Sequence, residues 1–235
     1  LCEIQSEKFL ISNISVNRNF NIHHLTNHTL FLSLMDISDI EFKAFEQLNN
    51  VRSLYLEYNN LKYLKRGLFM NMSNLVLLEL SDNLIQKIEN FTFFGLNRLQ
   101  TLYIRRNYLI EIEFDVLRFL PLLNDLRLSI NLLNNTDFLF NGPNLRILAL
   151  PNNNISKLTS FSFSRLRNLR TANLVYNKIS FIEPNVFNSL LMLENFNINN
   201  NELENSCYFS SSRNLNMYNF NFNKLKKLNE TIINL

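Results

Sequence analysis

The chain holds 235 residues, with 23 Lys and Arg against 20 Asp and Glu, a formal net charge of +3 and a hydrophobic content of 46%. That balance argues against nucleic acid or an anionic membrane as partner, and no apolar run reaches the ~18 residues a bilayer span needs. Gly numbers 3 and Pro 4, so no Gly/Pro-rich linker divides the chain, whereas Phe is frequent at 21.

Residues 1–26 fit no repeating frame. Within them Lys8 to Val16 (KFLISNISV) alternates in part and predicts a strand. The stretch is read as an N-terminal cap that covers the open end of an apolar strip formed by the rest of the chain. No signal peptide opens the chain, since Leu1-Cys2-Glu3 lacks a basic start and an apolar core.

From Asn27 onward one frame recurs. It restarts at Asn27, Val51, Leu75, Leu99, Leu123, Leu145, Leu169, Leu193 and Leu215, in steps of 22 or 24 residues. The third copy, LVLLELSDNLIQKIENFTFFGL, shows it best. Counted from Leu75, apolar residues fall at 1, 4, 6, 11, 14, 19 and 22: Leu75, Leu78, Leu80, Ile85, Ile88, Phe93 and Leu96. This spacing is neither helix nor plain strand. A single copy cannot bury its own apolar edge, but stacked copies can. The expectation is one elongated domain over 27–235, made of nine units. Positions 1–8 of each give a strand, and the remainder is the crossover that parallel neighbours require. The chain ends at Leu235 inside the ninth unit with no C-terminal cap after it, as in a piece of a longer parent.

Two further ladders come from the frame. Position 9 reads Met35, Asn59, Asn83, Asn107, Asn131, Asn153, Asn177, Asn201 and Asn223. Buried turn backbone must be paired, and Asn supplies both donor and acceptor, so each is expected to bond the backbone of its own and the next unit. Position 19 reads Phe45, Phe69, Phe93, Leu117, Phe163 and Phe187, an aromatic spine. The Leu123 unit, with its Asn141-Gly142-Pro143 turn, interrupts it, and so does the eighth unit at Ser206 and Cys207.

Cys2 and Cys207 lie many units apart. At about 5 Å per stacked strand they cannot bond to each other. Cys2 is half of a cap disulfide, a link to another chain or a free thiol, and a homo- or hetero-oligomer through Cys2 or Cys207 stays open. The three His are His23, His24 and His28, with no Cys or carboxylate cluster beside them. No phosphate-binding Gly loop and no nucleophile elbow occurs. The reading is therefore no enzyme, no catalytic residue, no metal and no cofactor.

What remains is surface. Positions 4 and 6 of each strand point inward, and positions 2, 3, 5, 7 and 8 point outward. Units two to five there present Tyr55, Glu57, Tyr58, Glu79, Asp82, Tyr103, Arg105, Arg106 and Arg127. Tyr and Arg are the types enriched at interface hot spots. Pairs such as Asp82–Arg106 would make a weak solvated face. Three arginines crowded on neighbouring strands would instead cost stability, which favours a partner-binding patch. Lys224, Lys226 and Lys227 in the last unit are read as a solvated edge. Sequons occur at Asn13, Asn27, Asn71, Asn90, Asn134, Asn154 and Asn229. A chain this rich in Asn holds about five by chance, so their placement, clear of the patch, says more than their number.

The segments LYLEYNNLKYLKRGLFMNMSNL and LELSDNLIQKIENFTFFGL resemble the extracellular leucine-rich repeat class, with Phe at position 19 and mostly 24-residue spacing. Within it the chain is similar to insect Toll-type receptor ectodomains and secreted leucine-rich immune proteins. The resemblance covers Asn27 to Leu235. It implies an α/β solenoid, a horseshoe with a parallel β-sheet on its concave face and an irregular, 3-10 or short-helix convex side. It also implies non-enzymatic recognition of a protein, or of a glycan or pathogen ligand, through the concave face, in extracellular innate immunity. A cell-surface adhesion or guidance receptor fragment and an intracellular leucine-rich-repeat scaffold are the alternatives. The Cys-rich N-terminal cap of the class is reduced here to Cys2.

Overall fold

The computed structural model describes residues 28–205 and 215–226, together with the backbone of 14–15 and 25–26. One three-residue strand per unit enters a parallel sheet: Thr29–Phe31, Ser53–Tyr55, Leu77–Glu79, Thr101–Tyr103, Asp125–Arg127, Ile147–Ala149, Thr171–Asn173, Asn195–Asn197 and Met217–Asn219. The register is position for position, so Leu54 pairs with Leu78 and Leu78 with Leu102. Leu25–Thr26 adds an antiparallel edge strand to the first unit, and Ile14–Ser15 pairs antiparallel with Asp39–Ile40.

The strands occupy positions 3–5, not the expected 1–8. At the forward end the limit lies at position 8. Leu34, Tyr58, Asp82, Arg106, Ile130, Asn152, Tyr176, Asn200 and Phe222 all have φ between +48° and +59°. That left-handed step turns the chain out of the extended region. Pairing between units nevertheless continues past the strand: the Leu56 N–H donates to the Glu79 carbonyl at 2.9 Å, and the Tyr58 N–H to the Ser81 carbonyl at 3.2 Å.

Positions 4 and 6 form the core, as the frame predicts. Leu54, Leu56, Leu78 and Leu80 have no exposed surface. Fully burying each such side chain contributes about 1.5–3 kcal/mol. The buried strip runs without a break from Leu30 to Leu203.

Each asparagine of position 9 closes the turn. Asn83 Nδ2 donates to the Leu80 carbonyl of its own unit at 3.2 Å and to the Leu56 carbonyl of the preceding unit at 2.9 Å. Its Oδ1 accepts the Leu61 N–H at 3.0 Å. The reach is backward, to the preceding unit, rather than forward to the next. The N–H lacking a sheet partner is the one at position 11 of the unit before, and the amide lies against it. The same backward reach recurs at Asn107, Asn131, Asn177 and Asn201.

Below the ladder, Phe45 stacks on Phe69 with centroids 5.9 Å apart, Phe69 on Phe93 at 6.1 Å, and Phe163 on Phe187 at 6.0 Å. The spine breaks in the Leu123 unit as expected. There a 3-10 helix, Asp137–Asn141, buries Phe138 and Leu139. Gly95, with φ +95°, lets one crossover lie directly on another, because a Cβ there would sit 2.3 Å from the Met70 carbonyl oxygen. The rest of the convex side is irregular, with the 3-10 helix Val116–Phe119 and two-residue parallel pairs such as Lys87–Ile88 with Glu111–Ile112. Among the described residues no helix is long and apolar enough to cross a membrane. Cys2, Cys207, Ser206, Lys227, His23, His24 and the expected cap strand, apart from Ile14–Ser15, lie outside the described residues.

Candidate partner-binding site

The sheet register sets the site. On neighbouring strands Tyr55 pairs with Glu79, Glu79 with Tyr103, and Tyr103 with Arg127. One carboxylate therefore stands between two tyrosines along position 5. Phe31 extends the row by stacking on Tyr55, with centroids 5.0 Å apart and planes 14° from parallel.

The nine candidate residues lie on adjoining strands but do not share one hydrogen-bond network. They sort into three groups. At the outer edge, Arg106 makes a two-pronged ion pair with Asp82, Nη2 to Oδ2 at 2.8 Å, and Nη2 also reaches the Tyr58 hydroxyl at 3.4 Å. The Asp82 bond holds the Arg106 guanidinium above its ordinary pKa. The Arg106 side chain is 43% exposed and Asp82 is half-buried, so solvent screens the pair and it contributes about 1 kcal/mol.

The second group turns on Asp125, which the spacing of the frame does not single out. Asp125 is buried, at 7% exposure. Arg127 donates to it through Nε at 3.0 Å and Nη2 at 2.9 Å. The Tyr103 hydroxyl donates to the same carboxylate at 3.1 Å, and the Arg127 guanidinium lies 4.8 Å above the Tyr103 ring. Burial, then the Asp125 charge, pushes the Tyr103 phenol up. A signal for Asp125 existed. It is the sole charged residue in a position-3 row that otherwise reads Thr29, Ser53, Leu77, Thr101, Ile147, Thr171, Asn195 and Met217. Two of the three arginines thus carry their own counter-ions, and the expected crowding of uncompensated positive charge does not arise.

The third group is central. Glu79 Oε1 accepts the Ser81 N–H at 2.8 Å. Burial raises the Glu79 carboxyl above its ordinary value, hydrogen bonding to Ser81 opposes that, and the Glu57 charge adds to it. Glu57 Oε2 and Arg105 Nε are buried with no hydrogen-bond partner among the described residues. Ser81 and Ser129, expected to face outward at position 7, are buried instead, each at 6% exposure. Ser81 Oγ accepts the Arg105 N–H at 3.0 Å, which ties it to the backbone.

Beyond Ala149 the position-5 row becomes Asn173, Asn197 and Asn219, each accepting an N–H two residues on, just past the end of its own strand. Lys224 and Lys226 pair with Glu202 and Glu204 at 2.9 Å, the solvated edge foreseen for them. No group of residues that could hold a metal ion occurs among the described residues. Asn71 and Asn134 are exposed, Asn90 and Asn154 half-buried, and all four lie after the strand and turn, off the sheet face. Asn13, Asn27 and Asn229 lie outside the described residues.

The family model described as leucine rich repeat matches residues 26–85, 73–133 and 143–203. Toll-like receptor 3 of Boselaphus tragocamelus is 32% identical over 166 residues, which is 64% of this chain and 18% of the relative. The chain spans less than a fifth of the length of the curated relatives it matches. Among solved structures, the leucine-rich repeat domain of APL1B superposes with a TM-score of 0.74 at 22% identity, covering 89% of this chain and 63% of that one. The chain in the TLR13-ssRNA13 complex gives 0.72 at 27% identity, covering 86% and 28%.

Proposed function

The chain belongs to the leucine-rich repeat family, and on that premise we propose that its concave sheet is a non-catalytic recognition surface for another protein, presented outside the cell in innate defence. The observation that carries this reading is the row Tyr55–Glu79–Tyr103 with Glu57 and Arg105 beside it. Aromatic rings flank a desolvated carboxylate, and the neighbouring carboxylate and guanidinium each keep a buried polar atom without a partner among the described residues. Within a single chain such groups lower stability. A partner that draws these side chains outward and pairs with them recovers that loss, and Tyr and Arg are the residues that most often anchor protein interfaces.

Charge favours protein over nucleic acid. A solved neighbour is described with single-stranded RNA. In this chain Arg106 and Arg127 are already bound by Asp82 and Asp125, and Glu57 and Glu79 lie among them. That arrangement repels phosphate. The extracellular assignment is supported by the receptor relatives and by sequons that stand off the sheet, at Asn71, Asn90, Asn134 and Asn154.

The test is affinity capture from native fluid, then a non-reducing gel that also shows any link through Cys2 or Cys207. The double variant Tyr103→Ala, Arg105→Ala is expected to lose the captured partner while keeping its parallel-sheet circular dichroism. Retained capture by the folded variant overturns the assignment of the face.

A further inference from the structure

Three consecutive residues, Asn90-Phe91-Thr92, are each disfavoured by the fold that contains them. Thr92 has no exposed surface, and its hydroxyl finds no hydrogen-bond partner among the described residues. The equivalent positions of other units hold Ala44, Leu68, Val116 and Val186, all buried and apolar. Valine is nearly the shape of threonine, so the buried hydroxyl gives the folded state nothing and lowers its stability. Ser162, the other hydroxyl at this position among the described residues, differs in being bonded, accepting from Thr136 Oγ1 at 2.7 Å and from the Thr159 N–H at 2.8 Å.

Phe91 is disfavoured differently. Its φ is +67°, where units two and seven place Gly67 (φ +69°) and Asn185 (φ +65°). Glycine and asparagine take that conformation readily, and a phenylalanine is strained in it. The strained ring is 51% exposed. It lies 4.8 Å from Phe119 and 6.4 Å from Phe94, whose ring is 46% exposed. Asn90 completes the set, since its Oδ1 is buried without a partner among the described residues. A sequence that accepts three such local conflicts in a row signals a use outside the packed chain.

The three residues spell a sequon, N-F-T, in which the hydroxyl is read by the glycosylating enzyme before the chain folds. We infer that Asn90 carries an N-linked glycan whose first sugar lies over the exposed Phe91 and Phe94 rings and the half-buried Phe119 ring beside them, covering the aromatic cluster. The donor is a lipid-linked oligosaccharide. The Asn90 Nδ2 displaces the lipid pyrophosphate at the anomeric carbon of the first N-acetylglucosamine and loses one proton. The apolar C–H face of that sugar suits the negative face of an aromatic ring. An uncovered aromatic cluster of this kind is an association liability.

This inference rests on the extracellular reading, so the test forces the route. The chain is secreted from a eukaryotic cell behind a heterologous leader, and occupancy at Asn90 is read by glycopeptide mapping. After trimming to single N-acetylglucosamine residues, the acetyl methyl proton on Asn90 is expected to shift upfield, relative to the same sugar on unfolded protein. Phe91→Asn, which suits the left-handed backbone, is expected to reduce that shift. Thr92→Val is expected to abolish occupancy at Asn90 and, in bacterially made protein, to raise the melting midpoint. An empty Asn90 in the secreted protein overturns the inference and leaves the concave face untouched. An occupied Asn90 with an unshifted acetyl signal overturns the covering role.

Discussion

Glu79 is bound to its own turn: its Oε1 accepts the Ser81 N–H at 2.8 Å. The bond ties the carboxylate back to its own chain between the strands of Tyr55 and Tyr103, in a place where burial works against its charge. The carboxyl pKa is raised above its ordinary 4.5 by that burial, despite the bond. The folded state therefore takes up the proton more readily than the unfolded state does.

The stabilising effect of that protonation is complete below 4.5 and disappears as pH rises through the folded-state value. Glu79→Gln keeps an oxygen for the Ser81 N–H and removes the charge. It is expected to melt above the wild type at neutral pH, and the gap should close as pH falls to 4.5 and below. Melting curves across pH 4 to 8 measure this. Glu113 works in the opposite direction, because the Asn90 N–H and Lys87 hold its carboxyl below the ordinary range. For that reason the variant-minus-wild-type difference, and not the wild-type profile, is the readout.

Asn107 joins two units. Its Nδ2 donates to the Leu80 carbonyl at 3.0 Å and the Arg105 carbonyl at 3.1 Å, and its Oδ1 accepts the Ile85 N–H at 2.9 Å. Asn107→Leu leaves these groups unpaired in a buried place, at about 1–3 kcal/mol for each orphaned group. The unfolding free energy from urea titration is expected to drop by a few kcal/mol. An unchanged midpoint would show that the ladder does not hold the stack.

Ile130 is a β-branched residue at φ +56°, and 44% of its surface is exposed. Non-glycine residues in that region lose about 1–2 kcal/mol, and asparagine suffers least. Asn152 and Asn200 occupy the same position in later units at φ +55° and +53°. Ile130→Asn is expected to stabilise the protein by about 1 kcal/mol in the same titration. A loss of stability would mean that Ile130 makes a contact its exposure does not reveal.

The parts of the fold that repeat were legible in the sequence. Leu80, Asn83 and Phe93 belong to ladders with one shared period, so their inward direction, turn and spine come from spacing alone. Strand length was not legible, because it depends on the left-handed step at position 8. Leu34, Tyr58, Arg106 and Ile130 all take that step, though none is a residue type that announces it. The direction of the Asn83 reach was equally hidden, since an amide in sequence does not say which neighbour lacks a partner.

The face was legible in composition but not in pairing. Tyr55, Glu79 and Tyr103 fall where spacing puts them. Counting arginines by strand gave an excess of charge, whereas Asp125 sits two residues before Arg127 and neutralises it on the same strand. Ser81 and Ser129 escaped because small polar residues are drawn under larger neighbours, and spacing does not register size.

The backward reach of the asparagines sets a timetable for synthesis. The N–H of Ile85 waits for Asn107, 22 residues downstream, just as Leu61 waits for Asn83. A growing chain cannot finish one turn until the next asparagine has left the ribosome, so completion trails elongation by about one repeat along the whole stack.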